Sequence, residues 1–220
     1  MAMPCNLPPL YAIFDPEMVK NRAPHEVLRA LLEGGVKILQ LRLKTLEPRE
    51  FLKLAQETRT LTRAYNCRLI VNDRGDIALA SEADGVHLGQ DDLPIVAARK
   101  LMGDRLIGIS THDLDQAKAA EQHGADYIGF GPIFGTTTKQ TGYSARGLES
   151  LCQVRAAVRL PIVAIGGVTE TNVTEVWRAG ADSAAIISDI LGAEDLTSKV
   201  KRILTTYSAT GSVSHGNKCP

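Results

Sequence analysis

The chain has 220 residues, 25 Lys+Arg against 25 Asp+Glu and 44% hydrophobic residues, which suits one large α/β domain or two small ones. The balanced charge gives no chain-wide field for nucleic acid or anionic membrane, so any anion site must be local. No uncharged apolar run is long enough to cross a bilayer, and residues 1–9 lack a charged region followed by an apolar core, so a cytoplasmic protein is expected.

Leu10–Phe14 reads as a first strand, closed by Asp15-Pro16. Pro24 opens a helix with Val27, Leu28, Leu31 and Leu32 on one face, and Gly34-Gly35 ends it. Strand two is Val36–Arg42, and Pro48–Tyr65 is a long helix with Phe51, Leu54, Ala55 and Thr58 in its inner stripe. Arg68–Val71 is strand three, stopping at Asn72-Asp73-Arg74. A helical turn at Ile77–Ala80, capped by Asp76, leads to strand four, Gly85–Leu88, which stops at Gly89-Gln90-Asp91-Asp92. Pro94–Met102 is a helix, and Arg105–Ile109 is strand five, ending at Ser110-Thr111-His112. Asp113 caps a helix to Gln122. Tyr127–Phe130 is strand six, followed by an aperiodic loop to Gly147 of a length that usually signals function or disorder. Leu148–Val158 is a helix, and Pro161–Ile165 is strand seven, ending in Gly166-Gly167-Val168. Thr169 opens a helix to Arg178, Ser183–Ile187 is strand eight, and Asp195–Tyr207 is the last helix. Residues 208–220, rich in Ser, Gly, Thr and Asn, are expected to be a disordered tail. Cys5, Cys67, Cys152 and Cys219 form no C-x-x-C pair and are expected as scattered reduced thiols rather than a zinc site.

Eight short apolar strands alternating with helices predict a single (β/α)₈ TIM barrel over residues 1–207, with an open doubly wound sheet as the alternative. The helix-stop-then-strand pieces Glu33-Gly34-Gly35-Val36, His123-Gly124-Ala125-Asp126-Tyr127 and Ala179-Gly180-Ala181-Asp182-Ser183 are internal echoes that favour the barrel. A barrel carries its active site at the C-terminal ends of its strands, where the polar clusters of this sequence fall.

Gln40, Arg42 and Lys44 alternate along strand two and its exit, so Arg42 and Lys44 could clamp a polyanion. Asn72-Asp73 and Asp92 end adjacent strands, and the two carboxylates could share a hard cation such as Mg²⁺. Asp91 is set aside because neighbouring loop residues usually point apart, and Asp84 reads as a turn residue before its strand. Thr136 to Lys139 puts hydroxyls, backbone N–H groups and a cation on one loop, while Gly166-Gly167 and Ile187-Ser188 follow the strands whose loops often bind phosphate in barrels. Ser110 and His112 raise the thought of nucleophilic catalysis, but the sequence supplies no matching acid. His87 reads as a packed or hydrogen-bonded core residue, and Trp177 as a packed one. The sum is a metal-linked anion subsite from strands two to four with Lys139, beside a metal-free one from strands six to eight. No general base stands out.

These motifs resemble a known family. Gln40-Leu41-Arg42-Leu43-Lys44, Val71-Asn72-Asp73-Arg74, the run from Asp84 to Pro94, Gly108-Ile109-Ser110-Thr111-His112, Gly129-Phe130-Gly131-Pro132-Ile133-Phe134 with Thr136-Thr137-Thr138-Lys139, and Ile165-Gly166-Gly167-Val168 are similar to those of thiamine phosphate synthase, from about Tyr11 to Tyr207. The resemblance implies a transferase that joins hydroxymethylpyrimidine diphosphate to a thiazole phosphate, giving thiamine phosphate and pyrophosphate. It implies Mg²⁺ on Asp73 and Asp92, and pyrimidine diphosphate contacts from Gln40, Arg42, Lys44, Asn72, Ser110 and Lys139. It places the thiazole phosphate against Thr136, Thr138, Gly167, Ile187 and Ser188. It gives the catalytic roles to Arg42, Lys44, Ser110 and Lys139. The implied mechanism is dissociative: pyrophosphate leaves first and the thiazole nitrogen captures the pyrimidine methylene cation. The loop Gln140–Arg146 and the tail depart from the family's pattern. The rival readings are a thiazole tautomerase of the same superfamily, which would not need the clamp and acidic pair, and a non-catalytic binding protein for thiamine precursors. Small-molecule substrates are the expected partners, and the sequence is compatible with a homo-oligomer.

Overall fold

The computed structural model describes residues 6–19, 22–135 and 143–210. Strands β1 (Leu10–Phe14), β2 (Ile38–Leu41), β3 (Arg68–Asn72), β4 (Gly85–Leu88), β5 (Leu106–Thr111), β6 (Tyr127–Phe130), β7 (Ile162–Ala164) and β8 (Ser183–Ile186) close in sequence order into one barrel. All neighbours are parallel, and β8 returns to β1 with Leu10 beside Ala184. Helices α1 (Pro24–Glu33), α2 (Pro48–Ala64), α3 (Gly75–Ala80), α4 (Ile95–Met102), α5 (Leu114–Gln122), α6 (Gly147–Ala157), α7 (Val173–Arg178), α8 (Ser188–Leu191) and α9 (Leu196–Ala209) fill the connections. The (β/α)₈ expectation therefore holds and the open sheet is excluded.

Side chains alternate between two cores because strand residues point to opposite faces in turn. Leu39, Leu69, Val86, Ile107, Ile128, Ile162 and Ala184 face outward into the layer beneath the helices. Tyr11, Ile13, Ile38, Ile70, Tyr127, Val163 and Ala185 fill the barrel interior above Leu7. A one-residue slip would exchange the two sets, so burial on both sides pins the register. Interior space is tight: a Cβ on Gly108 would stand 2.1 Å from Tyr127 Cζ, so that glycine makes room for the tyrosine ring.

The helix-to-strand turns share an anchoring device. Asp84 accepts from Leu69 N at 2.7 Å and takes Arg59 in two bonds of 2.6 and 3.0 Å. Asp126 accepts from Ile107 N at 2.7 Å and from Arg99 at 2.6 Å. Asp182 accepts from Ile162 N at 2.8 Å and from Arg155 at 3.0 Å. Each carboxylate clips its strand to the preceding one at the end remote from the catalytic face. Asp84 is thus more than a turn former.

Several expectations change in detail. Asp76 does not cap α3; it lies in the first turn and pairs with Arg74 instead. Asp113 does cap α5, accepting from Gln116 N at 2.8 Å. The loop after β7 runs on to Asn172 before α7 begins, so Thr169 does not open that helix. Ser188 starts the short α8. Helix α9 continues past Tyr207 to Ala209, and residues 211–220 lie outside the described residues. Cys152 is disulfide-bonded, against the expectation of reduced thiols, whereas Cys67 is a buried thiol whose pKa burial pushes up to about 12.

Candidate active site

The C-terminal ends of the strands open into a cavity continuous with solvent. Of the residues singled out by sequence, Gln40, Arg42, Asn72, Ser110, Gly167, Ile187 and Ser188 line it. The register explains part of this convergence: Asn72 lies beside His87, His87 beside Gly108, and Ser110 beside Gly129. Lys44, Asp73 and Asp92 are not among the lining residues. Thr136, Thr138 and Lys139 lie outside the described residues.

On the β2–β4 side, the Lys44 ammonium meets the Asp73 carboxylate at 2.6 Å. Asp73 has φ 62°, the left-handed region that Asp tolerates better than most residues. Its N–H bonds to the carbonyl of His87 at 2.8 Å, fixing the exit of β3 to the end of β4. Asp92 accepts from Gly89 N at 2.6 Å and stands against Asp73, while Asp91 is exposed. Burial, followed by the hydrogen bond and like charge from Asp73, raises the Asp92 carboxyl above its ordinary value against the opposing Gly89 N–H. Two carboxylates this close disfavour each other's ionisation, and a divalent cation between them would relieve that. The donor set therefore fits Mg²⁺, which takes one or two protein carboxylates and fills its remaining positions with water and phosphate oxygens. Arg42 is ion-paired with Asp15, which is only 3% exposed.

On the β7–β8 side, Gly167 has φ 64°, and a Cβ there would meet Gly135 O at 2.6 Å. Only glycine lets the backbone take that path. Asn172 braces the turn, donating to Gly167 O at 3.0 Å and accepting from Thr169 N at 2.8 Å. The loop is tied to the start of α8 by Glu170 N, which donates to Asp189 at 2.8 Å. Lys199 of α9 then bridges Glu170 at 2.9 Å and Asp189 at 3.0 Å, and Arg202 adds a bond of 2.8 Å to Glu170. Arg202 and then Lys199 hold the Glu170 carboxyl down to about 2.

The floor between these sides is polar in a way the sequence reading missed. Gln40 Nε2 donates to Tyr11 Oη at 3.1 Å, the Tyr11 and Tyr127 hydroxyls are 2.8 Å apart, and Tyr127 Oη lies 3.2 Å from His87 Nδ1. His87 Nε2 lies 3.0 Å from Ser110 Oγ. The partner of Ser110 is therefore His87 and not His112, whose Nδ1 donates to Gly131 O at 2.6 Å and whose ring stacks on Tyr143 at 3.9 Å. His87 meets a phenol rather than a carboxylate, so no Ser-His-acid triad forms here. His87, read from sequence as a packed or hydrogen-bonded core residue, is hydrogen-bonded, whereas Asp15, Tyr11 and Tyr127 were passed over. Their signal was positional only: each sits on the inner face or at the tip of a strand that neighbours a recognised site strand.

The comparisons agree with this geometry. The family described as Thiamine monophosphate synthase matches residues 10–190. A thiamine-phosphate synthase of Chloroflexus aurantiacus is 44% identical over 201 residues, covering 91% of this chain and 93% of that protein. One from Halalkalibacterium halodurans is 47% identical over 188 residues, covering 85% and 89%. A solved thiamine phosphate pyrophosphorylase from Pyrococcus furiosus superposes with a TM-score of 0.85 at 37% identity, covering 92% of this chain and 96% of that one. The chain belongs to the thiamine monophosphate synthase family.

Proposed function

We propose that this enzyme, a transferase of thiamine biosynthesis, joins hydroxymethylpyrimidine diphosphate to a thiazole phosphate and releases pyrophosphate. The observation that carries the reading is the pairing of two unlike ends at one barrel mouth. One end has Arg42 on the cavity wall, with Lys44 and the Asp73–Asp92 pair outside the lining. The other has the backbone of Gly167, Ile187 and Ser188.

Asp73 and Asp92 would hold Mg²⁺, which, when bound, neutralises diphosphate charge and stabilises the departing pyrophosphate. Arg42 and Lys44 donate to diphosphate oxygens, joined in this reading by Lys139. Gln40, Asn72 and Ser110 hold the pyrimidine. The turn at Gly167 and the N–H groups near Ser188 receive the thiazole phosphate, with Thr136 and Thr138 assigned to the same group. The bond between the pyrimidine methylene carbon and the diphosphate oxygen breaks, and its electron pair leaves with pyrophosphate. The lone pair of the thiazole nitrogen then forms the new carbon–nitrogen bond. That nitrogen carries no proton to remove, which accounts for a lining without Asp or Glu among its described residues. Catalysis then rests on stabilising charge in a preorganised site.

The test is pyrophosphate release from the two substrates with and without Mg²⁺. Metal-dependent release that needs both substrates, with thiamine phosphate formed in step, is the expected result. Release from the diphosphate alone, or none under any condition, would reject the reading.

A further inference from the structure

We propose that Tyr143 is a positioning residue: by stacking on His112 it holds the chain that returns from Lys139 against the tip of β5, on the side where the pyrimidine diphosphate binds. This deepens the function proposed above and rests on it for the substrate, whereas the stack itself is built from described residues alone. Tyr143 lies in the Gln140–Arg146 stretch that departs from the family's pattern, so the resemblance gives it no role.

His112 is a fixed platform. It lines the cavity just beyond the end of β5. Its backbone N–H donates to Gln116 Oε1 at 2.8 Å, and its Nδ1 lies 2.6 Å from Gly131 O. A carbonyl oxygen only accepts, so Nδ1 carries a hydrogen in either charge state of the ring. The residue is thus tied through its main chain to α5 and through its ring edge to the end of β6. Tyr143 lies on this platform with ring centroids 3.9 Å apart and planes 22° from parallel. The Arg146 guanidinium stands 5.1 Å from the centre of the same Tyr143 ring, within reach of a cation–π attraction. Arg146 Nε is buried without a hydrogen-bond partner among the described residues, so the ring face offsets charge where water does not reach.

The two arms of the connection between β6 and α6 are held differently. The outgoing arm is bound to the loop after β7, with Ile133 N donating to Ile165 O at 2.8 Å and Phe134 N to Gly166 O at 3.0 Å. The returning arm is bound at its base, with Arg146 N donating to Pro132 O at 2.7 Å and Gly147 N to Ile133 O at 3.0 Å. Above that base, Tyr143 adds its side-chain contact to the cavity wall. Thr136 follows directly on the outgoing arm, whereas Lys139 stands four residues before Tyr143. Loss of the stack therefore falls on the Lys139 side, assigned to the diphosphate, more than on the Thr136 side, assigned to the thiazole phosphate. Tyr143 is 40% exposed, so little of the core depends on it.

The experiment combines proton NMR of the full-length enzyme without substrate and steady-state kinetics, in wild type, Tyr143→Leu and Tyr143→Phe. The His112 ring signals are assigned by their loss in His112→Asn. The expected wild-type result is an upfield shift of those signals under the Tyr143 ring. Tyr143→Leu should lose the shift and raise KM for the pyrimidine diphosphate about three- to tenfold, the scale of one aromatic pair, with KM for the thiazole phosphate and the melting temperature unchanged. Tyr143→Phe should restore both the shift and the KM, because the stack needs the ring and not the hydroxyl. Loss of the shift in Tyr143→Leu with wild-type kinetics overturns the proposal, as does an equal rise in both KM values or a Phe variant that behaves as the Leu variant does. An active wild type with no upfield shift rejects the stack alone. Absence of turnover in a wild type that keeps the shift rejects the synthase reading, and the positioning role with it.

Discussion

Glu170→Gln tests whether charge, rather than shape, ties the loops after β7 and β8 to α9. Glu170 is bonded by Arg202 and Lys199, which hold its carboxyl at about 2 against an ordinary 4.5. Taken whole, that preference for the ionised form corresponds to about 3 kcal/mol of native stability. Arg202 is largely exposed and water screens its bond, so a contribution of roughly 1–2 kcal/mol is expected at pH 7. The sign is fixed by the depressed pKa. The stabilisation is present above pH 4.5 and is lost as pH falls through about 2, because the unfolded chain takes up its proton first. Up to about 0.8 kcal/mol is lost already at pH 4, so strongly acidic conditions are not needed. Urea unfolding of wild type and Glu170→Gln at pH 7, 5 and 4 measures this directly. The stability gap should narrow from pH 5 to pH 4 and shrink in high salt at pH 7. A gap of constant size across that range would show that Glu170 contributes through hydrogen-bond geometry that Gln reproduces poorly, and would refute the charge argument.

Asp73→Asn and Asp73→Gly separate the carboxylate from the left-handed backbone. Both should raise the Mg²⁺ needed for half-maximal pyrophosphate release at least tenfold. Glycine should keep or slightly raise thermal stability, since it removes the φ penalty of order 1 kcal/mol. Wild-type metal dependence in either variant would remove Asp73 from the metal site. Asp15→Asn leaves the Arg42 guanidinium without its carboxylate in a mostly buried position. A loss of roughly 2–3 kcal/mol is expected in urea unfolding, below the 3–5 typical of a fully buried pair because Arg42 reaches the cavity water. KM for the pyrimidine diphosphate should rise with it, and unchanged values in both assays would show that water replaces Asp15.

Strand positions were legible because parallel barrel strands are buried on both faces and read as unbroken apolar runs. Site residues were legible where a polar letter broke such a run at its C-terminal end, as at Gln40, Asn72, Ser110 and Ser188. Tyr11 and Tyr127 stayed hidden, since a tyrosine inside an apolar run gives the same letters whether its hydroxyl packs or bonds. Ser110 and His112 stand two apart, which suggests a Ser-His pair that the sequence itself leaves without an acid. Strand β5 ends at Thr111, and His112, though it also lines the cavity, bonds Gly131 O. The partner that Ser110 takes comes from β4, across a register no local pattern reveals. Asp15 reads as a turn residue before proline, and its pairing with Arg42 needs the knowledge that β1 lies beside β2.

The aspartate clips at the N-terminal ends join β3 to β4, β5 to β6 and β7 to β8. At the matching place before β2 stands Lys37, which bonds the carbonyl of Tyr65 instead. The barrel thus has a construction period of two strands along most of its length. Each clip spans only 15, 19 or 20 residues, whereas sealing β8 to β1 brings together the two ends of the chain. Short loops close at lower entropic cost than long ones. The clipped pairs therefore close at lower entropic cost than the seam between β8 and β1.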